Sequence, residues 1–384
     1  MKILMIDPWG VNNLSLYTNG LCMGISEYVD VTLFTNFYYE KTTEANYIVK
    51  PIFFPKSQVM KEGLLRTCVR GTEYLLGYRK ILNELKKNKY DIVHIQWLLI
   101  FKLDKYILKE IKKYCKKIVY TAHDVIPHRN GENYINDLKE IYSIVDLVLV
   151  HGEGIKKEFA KYFPEYENKV LIQRHGTYLN QDKHYDINNI DKKIIEKVQD
   201  YDRISIFFGY IFYNKGVDRL AKIWLDNFAD EEKHLLIIAG KRDAVYKELD
   251  MLEKNINECR NILYINRFVE NDLLNYLIDK SHIILLPYRH ASMSGVVFTA
   301  AEFKKPVLAT NTGSISEYLV DGESGFIVEN DERLFMEKLK YVSNKVSKET
   351  LHDMGENLHE HIKQNYSWEN IGELLAETVY GLEL

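Results

Sequence analysis

The sequence has only four cysteines in 384 residues, Cys22, Cys68, Cys115 and Cys259, and no two of them form a C-x-x-C pair. That scatter argues against a structural zinc and for a reducing compartment. Long hydrophobic runs are also missing, and pieces such as Trp97 to Phe101 are as long as unbroken apolar stretches become. A membrane-spanning helix needs about 20 consecutive apolar residues, so none is expected. The opening MKILMIDPWG places Asp7 where a secretory signal would need an apolar core. The expectation is a cytoplasmic protein. No nucleic-acid-binding motif is recognisable, and most of the chain is acidic, which disfavours a nucleic-acid partner.

What is present is enough apolar surface for more than one core. The length suits two domains, and 46% hydrophobic with 12% aromatic residues reads as globular and well packed. Charge is unevenly spread. From Lys56 to Lys117 there are 16 Lys plus Arg against 6 Asp plus Glu, an excess of 10; with a whole-chain charge of −4 the remainder carries −14. Leu64, Leu65, Val69, Leu75, Leu76, Ile81, Leu82 and Leu85 interleave with those bases. A solvated helical face explains this pattern, and so does an interfacial amphipathic helix drawn to an anionic membrane, which would place the protein peripherally on the inner face of the plasma membrane.

Period and punctuation predict strands at Lys2 to Ile6, Val31 to Thr35, Ile92 to Ile95, Ile118 to Thr121, Leu147 to Val150 and Val170 to Ile172, with helices between most of them. The second half repeats the alternation at Ile204 to Phe208, Leu235 to Ala239, Ile262 to Ile265, Ile283 to Leu286, Val307 to Ala309 and Gly325 to Val328. Alternating β and α elements imply an α/β fold with two doubly wound parallel sheets facing a cleft. The polar stretch Asn180 to Asn189 lacks a strand signal and reads as the interdomain linker. The expected division is residues 1–180, a linker over 181–199, a second domain over 200–365, and a last helix over 366–384. Helices are expected to start at Asp331, Ser347 and Ser367.

Two strand–turn–helix corners of the second half carry the chemistry. After Ile283 to Leu286 the chain turns at Pro287, and Ser292, Ser294 and Gly295 precede a helix through Phe298 and Glu302. Free N–H groups at such a start favour an anion, and a diphosphate fits. A helix terminus contributes only about 0.3–1 kcal/mol at the surface, so a cation is needed as well. Lys215, in the run FFGYIFYNKG, is the candidate.

In order and spacing, T121-A122-H123-D124, F208-G209-Y210 with K215-G216, S292-M293-S294-G295-V296, P306 to T310, G313 to E317, G322 to G325 and Y366-S367-W368-E369 resemble the retaining glycosyltransferases of family 4. The resemblance implies the GT-B fold of two Rossmann-like domains, with the last helix packing back on the first. It implies transfer of a sugar from a nucleoside-diphosphate sugar to a hydroxyl of a glycan or lipid-linked glycan, in cell-surface polysaccharide biosynthesis, and no metal or other cofactor. Lys215 and His123 become the catalytic candidates, and Gly209, Tyr210, Ser294, Gly295, Val296, Glu302 and Glu317 line the donor site. Glu302 would accept hydrogen bonds from the ribose hydroxyls. Ser294 stands where the family usually has glutamate, and Tyr210 and Phe212 where it often has arginine. Arg289, ahead of Arg242 and Arg267, would supply the second cation. Asp7, Trp9, Gly10, His94, Trp97, Asp124 and His151 would approach the acceptor, and His175 would begin the loop leaving the first domain. These departures also admit a catalytically silent protein that binds a partner or a glycan.

Overall fold

Short apolar runs bounded by turns bury both faces of a parallel strand, and the first half of the chain is built from them. The computed structural model describes residues 1–11, 13–40, 46–127, 131–177, 183–291 and 294–383. Its first elements are β1 (Lys2–Asp7), α1 (Asn13–Ser26), β2 (Asp30–Asn36), β3 (Ile48–Phe53), α2 (Leu64–Lys87), β4 (Ile92–Ile95), α3 (Phe101–Ile111), β5 (Lys117–Thr121), α4 (Ile135–Ile144), β6 (Leu147–Val150), α5 (Glu153–Tyr162) and β7 (Val170–Ile172). They form a seven-stranded sheet in the order β3-β2-β1-β4-β5-β6-β7, parallel throughout. The direction of winding reverses between β1 and β4.

The second set is α6 (Lys192–Gln199), β8 (Arg203–Phe208), α7 (Val217–Asn227), β9 (His234–Ala239), α8 (Asp250–Glu258), β10 (Ile262–Ile265), α9 (Asn271–Lys280), β11 (Ile283–Leu286), α10 (Val296–Glu302), β12 (Val307–Thr310), β13 (Gly325–Val328), α11 (Glu332–Lys345) and α12 (Lys348–Asn365). Its six parallel strands run β10-β9-β8-β11-β12-β13, with the reversal between β8 and β11. The chain closes with α13 (Trp368–Thr378). Two compact units result, Met1–Thr177 with Tyr366–Leu384, and Tyr178–Asn365.

In the first unit, α13 lies on α1 through glycines. A Cβ on Gly24 would come within 2.1 Å of the Trp368 carbonyl oxygen, and one on Gly372 within 2.2 Å of the Gly24 carbonyl oxygen, so the two backbones touch only because both positions lack side chains. The expected helix starts are capped by their own side chains: Asp331 accepts from the Leu334 amide, Ser347 from Thr350 and Ser367 from Asn370.

Three expectations need correction. The edge strand β3 was not anticipated, and it contains Pro51, which only an edge tolerates. Residues 183–199, the described part of the expected linker 181–199, are not a linker. Of the described part, Tyr185 donates to Asp279, Asn189 to Asp272, and Lys192–Gln199 is the helix α6, all within the second unit. The apolar residues of α2 do not share one face either. Ile81 and Leu85 turn into the core with Tyr74 and Tyr78, while Leu64, Leu65, Leu75 and Leu76 point outward.

Candidate active site

Open α/β sheets bind ligands beyond the carboxyl ends of their strands, where the winding reverses. In the second unit that place lies after β8 and β11, and both expected corners converge on it. After β8 come Gly209, with its amide on the Ala239 carbonyl oxygen, and the exposed Tyr210, stacked on Phe212. A single 3-10 turn then carries Lys215 to Gly216. Gly216 has φ +67°, and a Cβ there would meet the Pro287 carbonyl oxygen at 2.0 Å, so the β8 and β11 corners are pressed together at this glycine. The Asn214 carbonyl oxygen accepts from the Arg289 amide at 2.8 Å, and the Asn214 side chain donates to the His290 carbonyl oxygen at 3.1 Å.

The Lys215 ammonium rests 3.9 Å from the centre of the Tyr288 ring, and the Tyr288 hydroxyl is 3.2 Å from Ser294 Oγ. Tyr288 is buried and links the lysine to the start of α10. At that start the amides of Gly295 and Val296 precede any carbonyl of α10 that could reach them. No carboxylate pairs with Lys215 among the described residues. Ser292 lies outside the described residues.

The second cation is not where it was expected. Arg289 is held by both oxygens of Asp218, at 2.7 and 2.6 Å, and its guanidinium lies over Tyr213. Burial pushes the Asp218 carboxyl up, but hydrogen bonds from Arg289 and Tyr246 outweigh it and hold the group below the usual carboxylate range. Arg289 therefore braces the β8 corner instead of offering a free charge. Arg242 is likewise committed to Asp250 and Glu253, and Arg267 is exposed.

Glu302 is the last residue of α10 and is buried, with Lys183 Nζ 3.2 Å from its Oε1. A lysine from the supposed linker thus balances this carboxylate. Glu317 lies half-buried in the turn Ile315–Tyr318 after β12, its amide on the Ser314 carbonyl oxygen. The Thr312 and Ser314 hydroxyls in the same corner are buried and lack a partner among the described residues.

In the first unit the reversal falls after β1 and β4, and two tryptophans meet there. Trp9 is 40% exposed and stacks on Trp97 at 5.8 Å; Trp97 stacks on His123, after β5, at 4.2 Å and 5°. Tyr17 closes the group edge-on to His123 at 5.0 Å and His151 at 5.5 Å. His151, after β6, brings Nε2 to 3.1 Å from His123 Nδ1. Burial drives the His123 imidazole well below its ordinary pKa, aided by His151, His175 and His94, so it is neutral. Burial also lowers His151 to about 4, against the opposing charge of the half-buried Asp124. His175, beside Tyr17, stays neutral for the same reason.

Two expected acceptor residues face inward. Asp7 is fully buried, accepting from Thr18 Oγ1 at 2.6 Å and the Trp9 amide at 3.0 Å, and so shapes the turn through Gly10. His94 lies inside β4 with Nδ1 2.9 Å from the Tyr380 hydroxyl and Nε2 2.8 Å from Thr121 Oγ1. Its place in the strand Ile92 to Ile95 was readable, but not that Tyr380 would pack against it.

Among the described residues no helix is long and apolar enough to cross a membrane. The family model described as glycosyl transferases group 1 matches residues 202–345, and that described as Glycosyltransferase Family 4 matches residues 24–181. An uncharacterized glycosyltransferase of Methanocaldococcus jannaschii is 24% identical over 97% of this chain and 96% of its own. An uncharacterized 41.2 kDa protein in the cps region of Klebsiella pneumoniae is 25% identical over 74% of this chain and 80% of its own. The structure of Anabaena HepE, solved in complex with UDP and glucose, superposes with a TM-score of 0.70 at 14% identity over the full length of both chains.

Proposed function

The chain is a glycosyltransferase of family 4 with the GT-B fold, and from that premise we propose that it moves a sugar, with retention at the anomeric carbon, from a nucleoside-diphosphate sugar to a glycan or lipid-linked glycan hydroxyl. The observation that carries the donor reading is the convergence of Lys215, Tyr288 and Ser294 where the second sheet reverses its winding. HepE was solved with UDP and glucose, which favours a donor of that class. The cps-region relative accords with an acceptor in cell-surface polysaccharide assembly.

In this reading the bond from the anomeric carbon to the diphosphate oxygen breaks while one to the acceptor oxygen forms. The acceptor proton passes to the departing phosphate, so no protein base is required. Charge grows on the leaving oxygens, and the Lys215 ammonium with the Gly295 and Val296 amides stabilises it where it develops. The same reading assigns Glu302 to the ribose hydroxyls and His123 to a sugar hydroxyl. A panel of sugar nucleotides tests the reading: at 100 times its dissociation constant the true donor adds about 2.7 kcal/mol of stability, and its thermal shift should exceed that of the free sugar. A panel in which no sugar nucleotide raises the midpoint would count against it.

The outer face of α2 supports a further partner, an anionic membrane surface on the cytoplasmic side. Leu64 and Leu65 are 83% and 70% exposed, Leu75 and Leu76 about half, and Arg79 and Lys80 lie exposed beside them. An interfacial helix has this arrangement of apolar stripe and basic border. The protein should co-sediment with vesicles containing phosphatidylglycerol, more weakly at high salt, and Leu64→Glu with Leu65→Glu should abolish it. Equal binding to purely zwitterionic vesicles would remove the electrostatic part of the claim.

A further inference from the structure

His151 and His123 form a chain whose protons can be placed atom by atom. A carbonyl oxygen only accepts, so the Gln173 carbonyl, 3.0 Å from His151 Nδ1, requires a proton on that nitrogen. The neutral ring then leaves His151 Nε2 as a lone pair. That lone pair faces His123 Nδ1 at 3.1 Å, and the contact needs the proton on His123. His123 in turn keeps its Nε2 bare. This atom is buried and has no partner among the described residues. The Trp97 face and the Tyr17 edge hem the ring in, so rotation cannot exchange its nitrogens freely.

We propose that His151, anchored by the Gln173 carbonyl, is a positioning residue that holds His123 in the Nδ1–H tautomer, so that Nε2, covered in this structure, serves purely as a hydrogen-bond acceptor for a sugar hydroxyl once ligand binding uncovers it. An imidazole presenting Nε2–H would instead donate, and would leave a hydroxyl proton without its acceptor. A neighbouring residue that selects the tautomer of a working histidine is a general device, since the partner of one nitrogen decides the state of the other. The inference rests on the reading of His123 as a sugar-facing residue, but its first test does not.

Long-range nitrogen–proton correlation on the full-length, histidine-labelled protein at neutral pH reports the tautomer directly. His123 and His151 should both carry the Nδ1 proton. His151→Phe, which keeps a ring but no acceptor, should return His123 to the Nε2–H form and lower turnover about tenfold with KM little changed. His151→Gln, whose carbonyl can accept from His123 while its amide donates to the Gln173 carbonyl, should recover the Nδ1–H signal and most of the lost rate; it also serves if the Phe variant fails to fold. An Nε2–H signal for His123 in the native protein overturns the inference, and so does full turnover in His151→Phe despite a changed tautomer. Adding the most stabilising sugar nucleotide should shift the His123 Nε2 resonance if the hydroxyl belongs to the donor, whereas the nucleoside diphosphate alone should not. A shift seen only with a glycan acceptor present assigns the hydroxyl to the acceptor and retains the relay, and no shift with either overturns the ligand role. Failure of the glycosyltransferase reading would appear separately, as native protein that turns over no sugar nucleotide whatever its tautomers.

Discussion

Lys215→Ala should lower kcat/KM for the sugar nucleotide by about 10²-fold. A charge-assisted hydrogen bond contributes about 1.5–3 kcal/mol, and each ~1.4 kcal/mol is a factor of ten in rate. The ammonium has three donors, and the Tyr288 ring beneath it at 3.9 Å occupies one side without accepting a proton, so the remaining donors are available to phosphate oxygens. Arg289 cannot take over the task, because Asp218 already holds it at two points. The fold should be indifferent to the change: Lys215 is half-buried and, among the described residues, balances no carboxylate. An unaltered melting midpoint with a hundredfold slower turnover is therefore the expected pair of results. A variant with the native rate would take Lys215 out of the reaction.

Lys215 could be found from the sequence because a lysine after a buried strand and next to a glycine announces a corner, and the corner's position follows from the fold class. Tyr288 could not, since nothing in PYRH says that the tyrosine ring lies under a lysine 73 positions earlier. The same applies to Asp218. A carboxylate in the first turn of α7 is favourable on its own account, so its capture of Arg289 leaves no mark on the local pattern. Buried strands were legible because parallel strands are apolar on both faces. The exception, β3, has only Phe53 buried and carries Lys50 and Pro51, so its pairing with β2 is written in backbone hydrogen bonds instead of hydrophobicity. Residues 183–189 failed for the opposite reason. Their polar side chains resemble a solvated linker, yet they are satisfied by Asp272, Asn275 and Asp279 on or beside α9.

Acid should unfold the first unit readily, because four of its buried groups are neutral histidines. His94 is pushed by burial to about 3, His151 to about 4, and His123 and His175 well below the ordinary value, whereas in the unfolded chain all four titrate near 6.5. Below pH 6.5 the unfolded chain binds protons that the folded unit refuses, so stability falls as pH falls. Asp7 and Asp104 act in the other sense. Burial raises both to about 6, above their unfolded values, so from pH 6 down to about 4 the folded unit holds protons that the unfolded chain does not. Four histidines against two carboxylates leave about two protons taken up on unfolding, or roughly 2.7 kcal/mol lost per pH unit between about pH 6 and 4. Denaturant midpoints measured at intervals from pH 7.5 to 4.5 give this slope. Asp7→Asn separates the contributions: it removes one opposing carboxylate, so the decline below pH 6 should steepen by about 1.4 kcal/mol per unit, while above pH 6 the variant escapes the cost of burying an ionised group and should be more stable than the native protein. A native profile that is flat from pH 6.5 to 5, or an Asp7→Asn profile parallel to it, would mean that these imidazoles are not held neutral by the fold.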